Sequence, residues 1–140
     1  MPTSKKESLM AAIVSAVENT STAKDVKLWP ARIPQESLRR SWVAIFDGAE
    51  STTIRNKLAF KKFTLHLEAY GRSNNPDETS PAMDNLHAEI QSALLTPEPI
   101  SSVVTEIEET DFEKMLIDDM NWLITNDYVV QYAHERGKPF

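Results

Sequence analysis

Two long segments of alternating apolar and polar residues constrain the fold of this chain most. In residues 57–70 the apolar side chains recur at every second position from residue 63, as Phe63, Leu65, Leu67 and Ala69. In residues 121–133 one face would hold Trp122, Ile124, Tyr128, Val130 and Tyr132. Because successive side chains of a strand point to opposite faces, each segment predicts a long strand with one buried face.

A third strand is predicted just before the first of these segments. In residues 42–47, Trp42, Ala44 and Phe46 alternate with Val43 and Ile45. The polar stretch Gly48–Asn56 follows, so we predict one long β-hairpin over residues 42–70 with a mobile tip. Shorter strands are predicted at residues 26–29 and 102–109.

The start of the segment 57–70 departs from the alternation. Leu58 and Phe60 are out of phase with the apolar set that begins at Phe63. An extra residue in a strand shifts the phase of its side chains. We therefore expect a β-bulge near Lys61 and Lys62.

Two amphipathic helices are predicted. The first covers residues 5–19, where Ser4 and Glu7 match a capping box. The second begins at Ser80, which would cap it, with Pro81 at its first position. Their apolar stripes are Leu9, Ile13, Ala16 and Val17 in the first helix and Met83, Leu86, Ile90, Ala93 and Leu94 in the second.

The predicted order α-β-β-β-α-β-β indicates an α+β fold. A mostly antiparallel or mixed sheet would carry both helices on one face, since each helix has one apolar stripe to bury. The length of 140 residues fits a single domain over residues 1–140, with a flexible polar tail at 134–140. The expected core is Leu9, Ile13, Val17, Phe63, Leu65, Leu67, Leu86, Ile90 and Leu94.

Few residues point to catalysis. The chain has no cysteine, which excludes disulfides, thiolate nucleophiles and cysteine-bound zinc. Its three glycines are far apart, so there is no glycine-rich phosphate-binding loop. We expect no catalytic residue, no metal and no cofactor, and therefore a protein that is not an enzyme.

Some polar residues are candidate metal ligands. The pairs His66-x-Glu68 and His87-x-Glu89 each offer two ligating groups, and Asp118–Asp119 could join Asp111 around a cation. The ordinary alternatives are a polar strand face, a helix surface and a solvated acidic loop, and these are the readings we favour.

Charge is divided between the halves of the chain. Residues 1–70 hold 11 Lys/Arg and 7 Asp/Glu, a net +4, whereas residues 71–140 hold 4 and 14, a net −10. Such asymmetry suits contact between complementary surfaces, although solvated surfaces and lysines that discourage strand pairing would give the same pattern. The candidate interface residues are Arg39, Arg40, Arg55, Lys57, Lys61 and Lys62 on the basic side and Glu106, Glu108, Glu109 and Asp111 on the acidic side.

The layout resembles the tail terminator proteins of long-tailed bacteriophages, in particular the minor tail protein U family. The resemblance covers nearly the whole chain. It consists of the first helix, Trp29-Pro30, the strand from Trp42 to Phe46 followed by Asp47-Gly48-Ala49-Glu50, the long hairpin, the second helix, the acidic connector and the final strand rich in Tyr and Val.

The resemblance implies a structural role. Members form hexameric rings that cap the finished tail tube, stop its polymerisation and provide the head-joining surface. The implied partners are other copies of the chain, the tail tube protein and a head-completion or connector protein, with DNA passing through the lumen without specific binding. The implied location is the virion tail, after assembly in the host cytoplasm and without a membrane.

Two alternatives to a terminator stay open. One is another phage neck or head–tail connector protein with a similar layout. The other is a small α+β enzyme or ligand-binding domain that uses His66 and Glu68.

Overall fold

The structure is a computed structural model that describes residues 3–23, 25–30, 41–95, 100 and 103–140. It contains two helices and a five-stranded sheet, in the predicted order, so the predicted α+β class is confirmed. The elements are α1 (Lys5–Thr20), β1 (Asp25–Leu28), β2 (Trp42–Arg55), β3 (Leu58–Arg72), α2 (Thr79–Leu94), β4 (Val104–Leu116) and β5 (Asn121–Glu135).

The sheet is mixed. Its strand order is β1-β2-β3-β5-β4, with β1 parallel to β2 and every other pair antiparallel. The edges of the sheet are therefore β1, with the part of β2 that extends beyond it, and β4 on the opposite side.

Both helices pack on one face of the sheet, here called the helix face. All the residues of the predicted core are buried there, none of them more than 3% exposed. Gly71 is part of this close packing, since a Cβ at that position would lie 2.2 Å from the indole of Trp122. Burial of these side chains supplies the main driving force for folding.

The opposite face, here called the open face, carries neither helix. At the end of the sheet where β2 begins, Trp42, Ala44 and Tyr70 form a second small buried cluster. The rings of Trp42 and Tyr70 stack with centroids 4.8 Å apart. Towards the other end, the open face becomes polar and exposed.

The predicted start of the first helix is confirmed, whereas that of the second is not. The Ser4 hydroxyl accepts a hydrogen bond from the Glu7 N–H at 3.1 Å, as a capping residue does. The prediction that Ser80 caps α2 is wrong, because a 3₁₀ turn, Pro76–Glu78, runs directly into the helix at Thr79. The side chain of Asn75 caps that turn instead.

The predicted hairpin is present, but its tip is shorter than the polar stretch Gly48–Asn56. Residues up to Arg55 belong to β2, and a two-residue turn, Asn56–Lys57, joins it to β3. Asn56 has φ 56°, a left-handed conformation that asparagine tolerates better than most residues. Both faces of this part of the strand are exposed, so its sequence is mostly polar and shows no alternation. Its threonines and Ile54 nevertheless favour extended backbone.

The predicted bulge near Lys61 and Lys62 is wrong as well. Strand β3 pairs with β5 without a break from Leu58 to Arg72. The irregularity lies across the hairpin, in β2, between Asp47 and Glu50. Leu58 and Phe60 are out of phase because they belong to the open face.

The last two strands are longer than predicted. β4 runs to Leu116, and β5 runs to Glu135, so two residues of the expected tail belong to the strand. Beyond it, the carbonyl of Pro139 accepts a hydrogen bond from the Lys5 N–H at 2.6 Å. The flexibility of the tail and the single-domain assignment stay predictions. Within the described part of the chain, no helix has the length and apolar character needed to cross a membrane.

Candidate protein-interaction surface

The strand β4 presents an acidic row on the open face. Pairing with β5 places Glu106, Glu108, Asp111 and Glu113 on this face, and all four are exposed. Two register shifts, one near Glu106 and one near Asp111, make β4 an irregular edge strand. Irregular, charged edges resist continuous strand pairing, so this edge suits contact through side chains.

A basic group lies on the part of the β2–β3 hairpin beyond the bulge, here called the arm (residues 51–62). Arg55 and Lys62 are exposed on the open face, and Lys57 is in the turn. The guanidinium of Arg55 lies 5.7 Å from the centroid of the Phe60 ring. Lys61 points to the helix face, where its Nζ donates to the Thr52 hydroxyl at 2.8 Å.

The bulge fixes the base of the arm to α1. The Nζ of Lys6 lies 3.3 Å from Asp47 and 3.2 Å from Glu50. The Tyr132 hydroxyl also donates to Glu50, at 2.5 Å. The segment Asp47-Gly48-Ala49-Glu50, part of the family resemblance, therefore anchors the hairpin to the body of the protein.

Burial and hydrogen bonding act in opposite directions on Asp47. Partial burial raises its pKa, but hydrogen bonds from the Trp29 indole and from Lys6 outweigh that effect and hold the pKa below its ordinary value. The carboxylate is thus kept ionised at the base of the arm.

Within the described part of the chain, the two charged groups form no ion pairs with residues of opposite sign. Among the described residues, no ion pair involves the arm residues Arg55, Lys57, Lys61 and Lys62 or the acidic residues Glu106, Glu108, Asp111 and Glu113. The predicted interface residues Arg39 and Arg40 lie outside the described residues. Most of the described candidates thus form two exposed groups of opposite sign.

Glu109 is set apart from the other predicted acidic residues. It lies on the helix face, where its carboxylate is 2.7 Å from His87 Nε2 and accepts hydrogen bonds from Asn126 at 2.9 Å and Gln91 at 3.2 Å. Burial raises its pKa, but the bonds from Asn126 and His87 outweigh that effect and keep the pKa below its ordinary value. Because His87 and Gln91 belong to α2, Glu109 fastens that helix to the sheet.

His66 lies at the centre of the open face between two carboxylates. Its Nδ1 contacts Asp127, and its Nε2 is 3.2 Å from Glu68, which also accepts a hydrogen bond from the Tyr70 hydroxyl at 2.9 Å. Partial burial lowers the pKa of His66, but the two carboxylates outweigh that effect and raise the pKa above its ordinary value. Burial, together with the same Glu68 contact, raises the pKa of Tyr70 to about 12.

Both ring nitrogens of His66 contact carboxylates of this same group. The sequence pattern indicated His66 and Glu68 but not Asp127, which comes from a distant strand. A signal for it was present, since Asp127 falls on the polar face of the alternating segment 121–133.

The other metal-ligand candidates are not brought together. Glu89 accepts hydrogen bonds from the backbone and hydroxyl of Thr22, whereas His87 contacts Glu109. Asp118 accepts from the backbone N–H groups of Met120 and Asn121 and closes the β4–β5 turn. In the described ranges, no three histidine or acidic residues are grouped so as to hold a metal ion.

Exposed apolar residues lie at both edges of the sheet, and the sequence did not indicate them as a surface. At the end of β1, Trp29 is 59% exposed, next to the exposed Leu28. At the far end of β4 lies an apolar corner, which consists of Met115, Leu116, Ile117 and Met120. The available signal was the run Met115-Leu116-Ile117, which shows no alternation and lies beyond the predicted end of β4 at residue 109.

No protein-family model matches the chain, and no curated protein matches it either. The likeness to tail terminators therefore depends on the sequence pattern alone.

Proposed function

We propose that this chain is a tail terminator of a long-tailed bacteriophage. In this role it forms a ring on the end of the tail tube, stops the growth of the tube and offers the surface to which the head joins. The resemblance over nearly the whole chain supports the proposal. An α+β fold with two helices on one sheet face is consistent with it.

Two exposed groups of opposite charge, neither of which forms an ion pair among the described residues, carry the proposal. The acidic row lies on β4, and the arm belongs to β2 and β3, with β5 between them. Arg55 on β2 is three strand spacings from β4, about 14 Å, whereas Lys62 on β3 is two spacings away, about 10 Å. Both line one groove on the open face together with Glu106. Exposed groups of opposite sign that form no ion pair with each other suit a contact between subunits. A contact of this head-to-tail kind closes into a ring when its rotation allows.

The proposal includes a set of partners and a location. The ring number of six comes from the resemblance, as do the tail tube protein below the ring and a connector protein above it. DNA passes through the lumen without specific binding, and the chain acts in the virion tail after assembly in the host cytoplasm. The chain carries out no reaction and needs no cofactor in this role.

The enzyme alternative has less support. Its candidate residues, His66 and Glu68, bind each other and Asp127, so the group is internally satisfied. A neck or connector protein would use similar charged surfaces, and it differs from a terminator in its effect on tube length.

Electron microscopy of tail tubes tests the proposal. Tube protein is polymerised with and without this chain, and tube length and tube ends are recorded. We expect tubes of limited length that carry a ring at one end. Tubes that grow past normal length with bare ends would overturn the terminator function, whatever the free protein does.

The acidic row allows a matched variant pair in the same assay. Glu108→Lys reverses a charge on the open face, whereas Glu135→Lys reverses another exposed acid outside the row, at the end of β5, where it pairs with Lys138. We expect a partial loss of capping for Glu108→Lys and little change for Glu135→Lys, because one exposed ion pair contributes only about 0–1 kcal/mol. Equal activity of the two variants would remove the electrostatic support for the proposal.

A further inference from the structure

Trp29 is held on the surface in an unfavourable backbone conformation. Its φ of 48° is rare for a bulky residue, and its side chain is 59% exposed. The conformation is fixed by a hydrogen bond from the Trp29 N–H to the Ile45 carbonyl at 2.9 Å and by one from Nε1 to Asp47 at 2.5 Å. The ring of Trp29 also meets Phe46 edge to face, with centroids 5.0 Å apart. Strain of this kind concentrates at functional positions, and tryptophan is enriched at the energetic centres of interfaces.

The apolar corner lies at the opposite edge of the sheet. Leu116 is 63% exposed and Ile117 51% exposed, with Met115 and Met120 beside them. A groove of about 290 Å³ runs alongside, between β4 and the start of α2. Several exposed apolar side chains grouped at one place on a chain indicate a contact site.

On each edge of the sheet, a charged residue lies at a similar distance from the apolar site, measured along the strands. Trp29 follows Leu28, which pairs with Ile45, so it lies level with Phe46 and with His66 across the hairpin. Arg55 on the arm is level with Leu58, which lies eight residues before His66 in β3. At about 3.4 Å per residue this separation is about 27 Å.

On β4 the corresponding separation is nearly equal. Leu116 is level with Gly71 through its pairing with β5, and Glu108 is level with Thr64. These positions are seven residues apart along β3, about 24 Å. The two edges thus carry an apolar site and then a charge in the same direction, and the charges are of opposite sign.

We infer that Trp29 of one copy packs on the apolar corner of the next copy in the ring. In that arrangement the arm of the first copy reaches along β4 of the second, and Arg55 meets Glu108. We assign the partner of each edge as a second copy of this chain. The apolar site and the charged residue follow in the same order on both edges, and their separations are nearly equal. The inference rests on the proposed ring and names the contact that closes it.

Cysteine cross-linking tests the contact, since the chain has no cysteine of its own. Leu28→Cys and Ile117→Cys are combined in one variant, which keeps Trp29 and Leu116 in place. A short bis-maleimide is added to the protein at high concentration and to the protein bound to tail tubes. We expect a ladder of covalent oligomers on a denaturing gel, ending at the ring.

A control variant combines Leu28→Cys with Leu95→Cys. Leu95 is 40% exposed but follows the last residue of α2, at the other end of that helix from the groove. We expect no ladder from it. Cross-linking of the test variant no stronger than that of this control would overturn the inference.

Single substitutions provide a second measurement. We expect Trp29→Ala and Leu116→Asp each to weaken self-association at least tenfold in sedimentation experiments, with unchanged circular dichroism. Leu95→Asp is the matched control and should leave association unchanged. Association unaffected by both test variants would also overturn the inference.

The outcomes separate this contact from the proposed function. Tubes that are capped normally while the test variant fails to cross-link would retain the terminator function and reject this contact. Cross-linked rings combined with overgrown tubes would retain the contact and reject the function.

Discussion

Lys61 and Lys62 are neighbours in the sequence but point to opposite faces of the sheet. Lys62 is exposed on the open face of the arm, and Lys61 donates to Thr52 on the helix face. We expect Lys62→Glu to impair ring formation and tube capping, because it places a negative charge where the neighbouring acidic row would approach. Exposed ion pairs contribute only about 0–1 kcal/mol each, so the effect should be a partial loss, measured by sedimentation and by tube length.

Lys61→Glu serves as the control for that substitution. It changes the charge of the protein by the same amount but on the other face of the arm. A larger defect for Lys61→Glu than for Lys62→Glu would mean that the helix face of the arm, and not the open face, makes the contact.

His66 should make the stability of the protein depend on pH. Its folded pKa lies above the ordinary value of about 6.5, because Asp127 and Glu68 outweigh the effect of burial. The stabilisation from these contacts is therefore complete below pH about 6.5 and is lost as the pH rises through the folded pKa. We expect the free energy of unfolding, from urea titrations, to fall over this range more for the native chain than for His66→Gln.

The glutamine variant cannot be protonated and retains a side chain of similar size. Parallel pH profiles for the two proteins would show that the contacts of His66 do not depend on its charge. The imidazole is about one-third exposed, so solvent weakens the effect and the difference between the profiles should be small.

At the level of elements, the arm differs from the rest of its hairpin. Residues 42–45 of β2 are buried and pair on both sides, with β1 and β3, whereas residues 51–55 are exposed and pair only with β3. Backbone groups with little burial open more easily. We expect amide hydrogens of residues 51–55 to exchange faster than those of residues 42–45 in the free protein, and to exchange more slowly in the proposed ring.

Hydrogen exchange read by mass spectrometry measures both states. The buried residues 63–69 of β3 provide the internal control, since they should exchange slowly in both. Equal exchange of the arm in the free and assembled protein would count against its role in the contact.

At the level of the whole molecule, the helices and the sheet are held together by one apolar cluster. Ile90 of α2 and Leu67 of β3 are both 0% exposed within it. Truncation of either to alanine removes buried apolar atoms and leaves a cavity. We expect a loss of about 2–5 kcal/mol in the free energy of unfolding for each, measured by urea denaturation.

Leu95→Ala is a suitable comparison, since Leu95 is a leucine with an exposed side chain. Its substitution should cost far less. A loss below 1 kcal/mol at both Ile90 and Leu67 would contradict the packing of the helices on this face.

The sequence by itself determined the elements and the buried face. Periods of two and of about 3.6 residues are local properties, so the alternation at Phe63–Ala69 and the stripe of Leu86 and Ile90 gave the strand and helix phases correctly. The same local signals failed at the arm, where a strand exposed on both faces has no alternation. They also missed the bulge at Asp47–Glu50, whose consequence is seen only in the pairing of β2 with β3.

Only the tertiary structure decided which residues of different strands meet. His66 and Asp127 are 61 residues apart in the chain, and His87 and Glu109 are 22 apart. Strand order and register set these neighbours. Both depend on how the whole apolar face packs, and a shift of one residue would turn every side chain to the other face. For that reason the sequence placed Glu109 with the other acidic residues of β4, and only the structure showed that it lies on the opposite face.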